Sequence, residues 1–130
     1  MDTDQPLRNR VILFADDEPR LRMLVTMMLE DLGAQVIAVE SGEEAVAAYA
    51  ERQSDIDLVM LDMRMKGMGG EKAFAAIKQV APQAKIVLSS GILPDAALLA
   101  TIHSAGGAFI EKPFDLDVLS HTLSALLSPQ

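Results

Sequence analysis

Four short stretches of the chain carry side chains that can do chemistry together. They are Asp16-Asp17-Glu18, Asp62, Ser89-Ser90-Gly91 and Glu111-Lys112-Pro113, and each lies at the end of a short apolar run. Three carboxylates held close together repel one another, and partial burial makes the repulsion worse. A divalent cation between them removes that cost. Oxygen ligands without His or Cys select a hard ion, and a shallow, hydrated site favours Mg2+ over a full calcium cage. A cation among carboxylates next to a Lys and a hydroxyl is equipment for phosphoryl transfer. One Asp can act as nucleophile and form an aspartyl-phosphate. The metal and the Lys neutralise the phosphoryl oxygens, and a hydroxyl donates to one of them. Taken singly, Asp16 or Glu18 reads equally well as a solvated loop residue; the whole constellation does not.

The elements that must position these residues can be read from the apolar pattern. Val11–Ala15, Gln35–Val39, Leu58–Leu61, Lys85–Ser89 and Ala108–Ile110 are short runs rich in β-branched residues. They are too short for typical helices and suit strands buried on both faces. Amphipathic segments alternate with them. From Pro19 to Leu32, Leu21, Leu24, Val25, Met28 and Leu32 recur at steps of three and four, one stripe on a helix face. Pro19 suits a first turn, and Gly33 suits a C-terminal stop. Ser41 with Glu44 is a capping box opening a helix through Tyr49. A third helix is expected over Gly70–Val80. A fourth opens at Pro94-Asp95 and ends at Gly106-Gly107. A fifth is capped by Asp115, with Leu116, Leu119, Leu123 and Leu126 as its stripe. Five strands alternating with five helices predict a doubly wound (βα)5 α/β domain with a parallel sheet and helices on both faces. In such a sheet ligands bind at the carboxyl ends of the strands, where all four polar stretches fall. The domain is expected over 11–127, with loose tails at 1–10 and 128–130.

Composition narrows the function classes. The chain has 130 residues, 19 acidic against 11 basic side chains, a formal net charge of −8 and no Cys. One domain of this size buries about two-thirds of its unfolded surface and folds without a staple. Zero Cys excludes a disulfide scaffold, a thiol nucleophile and Cys-ligated metal. The acidic balance argues against a nucleic-acid partner. No apolar run reaches the roughly 18 residues of a membrane span, and the polar start MDTDQPLRNR does not resemble a secretory signal. The expectation is a cytoplasmic protein that binds neither nucleic acid nor membrane.

The acidic pair Asp16-Asp17, the run LDMRMKGMGG around Asp62, the SSG after the fourth apolar run and the EKPF motif follow in order along the chain. Asp17 and Asp62 are 45 residues apart, Asp62 and Ser90 are 28, and Ser90 and Lys112 are 22. In these motifs and spacings the chain resembles the receiver domain of bacterial two-component response regulators, over nearly everything from Val11 to Leu127. The resemblance implies a flavodoxin-like strand order 2-1-3-4-5. It implies that Asp62 accepts a phosphoryl group from a phosphohistidine on a sensor histidine kinase or phosphotransfer protein. Asp17 would ligate Mg2+ directly, Asp16 mostly through water, and the Arg64 backbone carbonyl would complete the protein ligands. Lys112 would pair with Asp62 and then with the phosphoryl group, and the Lys112–Pro113 bond would be cis. Ser90 would hydrogen-bond a phosphoryl oxygen; Ser89 competes for that role. Phe109 occupies the place of an aromatic switch. The fourth helix, fifth strand and fifth helix would form the responsive face and a possible homodimer surface.

The chain also departs from the family pattern. Lys66 stands where many members have Pro, and the expectation is a looser loop or an added charge. Arg64 and Ile92 would line the rim and tune access of water. Met23, Met27 and Met28 cannot all face one core, so part of the first helix would offer an adaptable Met surface. His103 and His121 have no ligand spacing and read as surface residues. Three rivals are weaker. A phosphatase of the haloacid dehalogenase type needs an Asp where Arg64 stands. A flavodoxin-like redox protein needs a neutral phosphate loop in place of Asp16-Asp17-Glu18. A pseudo-receiver would lack one of Asp17, Asp62 or Lys112. A receiver domain cut from a hybrid histidine kinase would carry the same residues.

Overall fold

The computed structural model describes residues 5–128. In chain order the elements are β1 (Val11–Ala15), α1 (Pro19–Asp31), β2 (Gln35–Val39), α2 (Gly42–Arg52), β3 (Leu58–Asp62), α3 (Gly70–Val80), β4 (Ile86–Ser90), α4 (Ala96–Ser104), β5 (Ala108–Glu111) and α5 (Leu116–Leu127). The five strands form one parallel sheet in the order β2-β1-β3-β4-β5. This is the flavodoxin-like (βα)5 arrangement that the alternation and the resemblance predicted. A parallel sheet needs a crossover between successive strands; α1 to α4 supply the four crossovers, and α5 follows the last strand.

The core lies in two layers, one on each face of the sheet. Leu13, Ala15, Val59, Leu61, Ile86 and Leu88 pack with Ala45, Tyr49, Phe74, Ile77 and Ile102 of α2, α3 and α4. Ile12, Phe14, Leu58, Met60 and Val87 pack with Val25, Leu29, Leu119, Leu123 and Leu127 of α1 and α5. Successive strand residues alternate between the layers, as the pleat requires.

Burial on both faces holds for the central strands β1, β3 and β4. It does not hold for the edges: Gln35 and Ala38 of β2 and Glu111 of β5 are exposed, because an edge strand has a neighbour on one side alone. The stripe expected on α1 is also corrected. Val25, Leu29 and Leu32 are buried, but Leu21 and Leu24 are 38% and 53% exposed. The helix is turned so that Leu29, rather than Leu24, faces the sheet. On α5, Leu119 and Leu123 are buried as expected, but Leu127 replaces Leu126 as the deepest residue of the last turn. The second helix runs beyond Tyr49 to Arg52.

The tail expected over 1–10 is corrected in part. Leu7 is fully buried in the α1/α5 layer, and its N–H donates to the Leu32 carbonyl at 2.9 Å. The partner turn needs Gly33, which has φ +100° and lies so close to the Arg8 backbone that an added Cβ would sit 2.9 Å from the Arg8 Cα. The expectations for residues 1–4 and 129–130 fall outside the described residues.

Side-chain caps fix where the helices begin. The carboxylates of Glu18, Asp95 and Asp115 accept from Leu21, Leu98 and Val118 N–H groups, and Ser41 accepts from Glu44. In the box at α2, the Glu44 side chain accepts from Glu40 N–H, one residue before the cap. Glu18 is therefore a cap of α1 and is drawn away from the carboxylates beside it in sequence.

Candidate functional site

The apolar strands end where the polar residues begin, and parallel pairing brings those ends to one edge of the sheet. Ala15 is the register partner of Leu61, which sets Asp16 beside Asp62. Asp62 is in turn the partner of Ser89. The end of β4 then links the two sides of the site through its backbone. The Ser89 carbonyl accepts from Met63 N–H, just after Asp62, and the Ser90 carbonyl accepts from Lys112 N–H, both at 2.8 Å. The β4 terminus is thus a spacer between Asp62 and Lys112.

Lys112 reaches back across that spacer. Its ammonium donates to Asp62 Oδ1 at 3.0 Å and to Asp16 Oδ2 at 3.3 Å. The Lys112–Pro113 peptide is cis. Asp16, Asp17 and Asp62 each bring a carboxylate oxygen within 4.8 Å of the other two. Asp16 and Asp62 are buried, and Asp17 is half-buried. One lysine cannot neutralise three carboxylates, so the cluster keeps an excess of negative charge. Three converging carboxylate oxygens, with Asp17 the least buried of the three, fit a hard divalent cation, and Mg2+ in particular.

The electrostatics follow from this crowding. Burial pushes the Asp62 carboxyl above the usual range, and the charges of Asp16 and Asp17 add to it; the hydrogen bond and charge of Lys112 oppose the rise without cancelling it. For Lys112, burial alone would lower the pKa. The hydrogen bond and charge of Asp62, then of Asp16, outweigh burial and hold the ammonium above its ordinary value.

The loop after Asp62 is held on both sides. Lys66 N–H donates to Asp17 Oδ2 at 2.8 Å, and Met68 N–H donates to Glu43 Oε2 at 3.1 Å. The expected loosening at Lys66 is therefore corrected. A residue other than Pro keeps its N–H, and here that N–H pins the loop to the acidic pair. The start of α3 packs against Asp62 itself: a Cβ at Gly70 would lie 2.5 Å from the Asp62 carbonyl oxygen.

Other residues singled out in the sequence lie around this centre. Ser90 is buried, and its Oγ accepts from Ile92 N–H at 3.1 Å. Ser89 is fully buried, and its Oγ has no partner. Phe109 is half-buried, pairs in register with Leu88, and packs on the α2/α3/α4 layer, on the same face of the sheet as Ser90. Arg64 and Ile92 are exposed. Met23 and Met27 are exposed while Met28 packs against the core, and His103 and His121 lie on the surface. Sequence reasoning did not find Glu43 as an anchor of the loop. Nor did it find the Arg22 guanidinium, which donates to the Asp16 carbonyl at 2.9 Å. Neither has a motif, because both act on backbone groups brought near by the fold.

The receiver-domain model of response regulators matches residues 12–124. The chain belongs to the response regulator receiver family. It is 33% identical over 118 residues to the chemotaxis protein CheY of Bacillus subtilis, covering 90% of this chain and 97% of that protein. It is 33% identical over 117 residues to the autoinducer 1 sensor kinase/phosphatase LuxN of Vibrio campbellii, of which it spans 13% of the length. The fold superimposes on a CheX–CheY–BeF3–Mg2+ complex from Borrelia burgdorferi with a TM-score of 0.85 at 25% identity, covering 92% of this chain and 90% of that one. This receiver domain thus has relatives both in whole chemotaxis regulators and in small parts of sensor kinases. Among its described residues no helix is long and apolar enough to cross a membrane.

Proposed function

We propose that this receiver domain takes a phosphoryl group from a phosphohistidine, on a sensor histidine kinase or histidine phosphotransfer protein, onto Asp62. The observation that carries the reading is the convergence of Asp16, Asp17 and Asp62 on one point, with Lys112 3.0 Å from Asp62. An Asp62 carboxylate oxygen attacks phosphorus, the bond from phosphorus to the imidazole nitrogen breaks, and its electron pair returns to the donor histidine. Lys112 leaves Asp62 for a phosphoryl oxygen as negative charge moves outward. Asp17 and Asp62, with the Arg64 carbonyl, would hold Mg2+, and Asp16 would act chiefly through water. The ion's contribution is to neutralise charge on the transferring group. Metal ligation by the same carboxylates is the use to which their uncancelled charge is best suited.

Ser90 is the hydroxyl that meets the phosphoryl group from the face it shares with Phe109. Its movement toward the site frees space for the Phe109 ring, and the face formed by α4, β5 and α5 shifts between two packings. That face carries few charges and is a candidate homodimer surface. The protein acts as a phosphoacceptor that promotes its own phosphorylation and dephosphorylation rather than as a turnover enzyme, and works in the cytoplasm. Incubation with Mg2+ and acetyl phosphate is expected to add one phosphoryl mass to the wild type and none to Asp62→Asn. Equal labelling of both, or of neither, overturns the reading.

A further inference from the structure

Asp62 and Ser89 sit side by side on β3 and β4, and the next partner along the row is Ile110 of β5. Strand alternation puts Ser89 on the face of Val87 and Met60, which is the face of Asp16 and Asp62; Ser90 is on the other. Lys112, two residues beyond Ile110, crosses this row to reach Asp62. The end of β4 therefore offers one hydroxyl to each face of the site. Ser90 has a partner in Ile92 N–H. Ser89 is fully buried beside Asp62, and its hydroxyl has none. A hydroxyl buried without a partner is costly, and an Ala or Val would fill the same space without that cost.

We propose, resting on the reading of Asp62 as phosphoacceptor, that Ser89 is the hydrogen-bond donor to the Asp62 carboxyl oxygens when the phosphoryl group leaves. In the resting protein Lys112 occupies Asp62 Oδ1. In the phosphorylated protein Lys112 is drawn to the phosphoryl oxygens, and the acyl oxygen of Asp62 needs a new donor. During hydrolysis a water oxygen bonds to phosphorus and the bond from phosphorus to the Asp62 oxygen breaks. Its electron pair stays on the carboxylate, and the water protons leave with inorganic phosphate and solvent. Negative charge grows on Asp62 in that step, so a donor there stabilises the transition state more than the ground state. Ser89 keeps its proton throughout.

The test is the decay of the phosphorylated full chain, followed by mass, in wild type, Ser89→Ala and Ser89→Cys, with melting temperatures measured in parallel. Ser89→Ala is expected to lengthen the phosphoryl lifetime about fivefold, the scale of one lost hydrogen bond. Its melting temperature should be equal to or above that of the wild type. Ser89→Cys, a weak donor of similar shape, should fall between. The infrared acyl carbonyl stretch of phosphorylated Asp62 should move to higher frequency in Ser89→Ala, a signature that a packing role does not produce. Identical lifetimes and an unshifted stretch in all three proteins overturn the inference while leaving Asp62 as acceptor. A wild type that takes up no phosphoryl group overturns both.

Discussion

Asp62 is a carboxylate under opposing pressures. Burial and two neighbouring carboxylates disfavour its charge, and Lys112 favours it, with the first pair stronger. A carboxyl whose pKa is higher folded than unfolded holds its proton more tightly in the native state. Its charging therefore costs stability as pH rises from the ordinary carboxylate range through the raised value, and the full cost remains at neutral pH. Asp62→Asn is expected to raise the denaturant midpoint at neutral pH without Mg2+. The gain should shrink toward zero as pH falls to the usual Asp range, where the wild type is already protonated. A gain that grows on acidification would contradict this balance. The residue scale also shows how far types and spacing reach. Asp16, Asp17, Asp62 and Lys112 were legible because charged groups at the ends of apolar runs have no packing role there. The unpartnered Ser89 hydroxyl and the Lys66 N–H bonded to Asp17 were not, since both depend on what a neighbouring strand or loop offers.

Among the elements, α4 is held in an unusual way. Ile102 is its one buried residue, and the hydrophobic contacts of the rest are partial. Its C-terminal end is tied down from α3 by Lys78, whose ammonium donates to the carbonyls of Ala105 at 2.6 Å, Ala84 at 2.5 Å and Pro82 at 3.0 Å. Burial lowers the Lys78 pKa, and three carbonyl acceptors compensate the desolvated charge. The start of α4 is held by a different device, the Asp95 carboxylate that accepts from Leu98 N–H at 2.8 Å. Lys78→Met keeps the apolar stem and leaves three carbonyls without their donor. It is expected to cost about 1–3 kcal/mol of stability, and to speed amide exchange at 104–107 more than in β1 or β3. Uniform exchange across the chain would remove Lys78 as a local tie. Lys78 was invisible in the sequence because a lysine in an amphipathic helix reads as solvated.

For the molecule as a whole, strand positions and the helix count were legible because continuous apolar runs and helical steps differ in period. The order β2-β1-β3-β4-β5 came from the family resemblance, since periodicity does not say which strands are neighbours. Helix rotation was harder. Leu21 and Leu24 satisfy the same spacing rule as Val25 and Leu29, and which pair is buried is decided by the sheet beneath. Leu7 was missed because it is a lone apolar residue among polar ones. It is nonetheless part of the α1/α5 layer, so the folded unit begins before Val11. Leu7→Ala is expected to lower stability by about 2–4 kcal/mol, read from chemical unfolding. A loss under about 0.5 kcal/mol, as for surface substitutions, would mean the segment is a tail after all.

The proposed phosphorylation of Asp62 is tested most directly by trapping its product. After incubation with acetyl phosphate and Mg2+, borohydride reduces an acyl phosphate on Asp to homoserine, which peptide mass mapping locates. The account predicts homoserine at position 62 and at no other carboxylate, with none in Asp62→Asn. Homoserine at Asp16 or Asp17, or its absence from a protein that has gained phosphoryl mass, would contradict it.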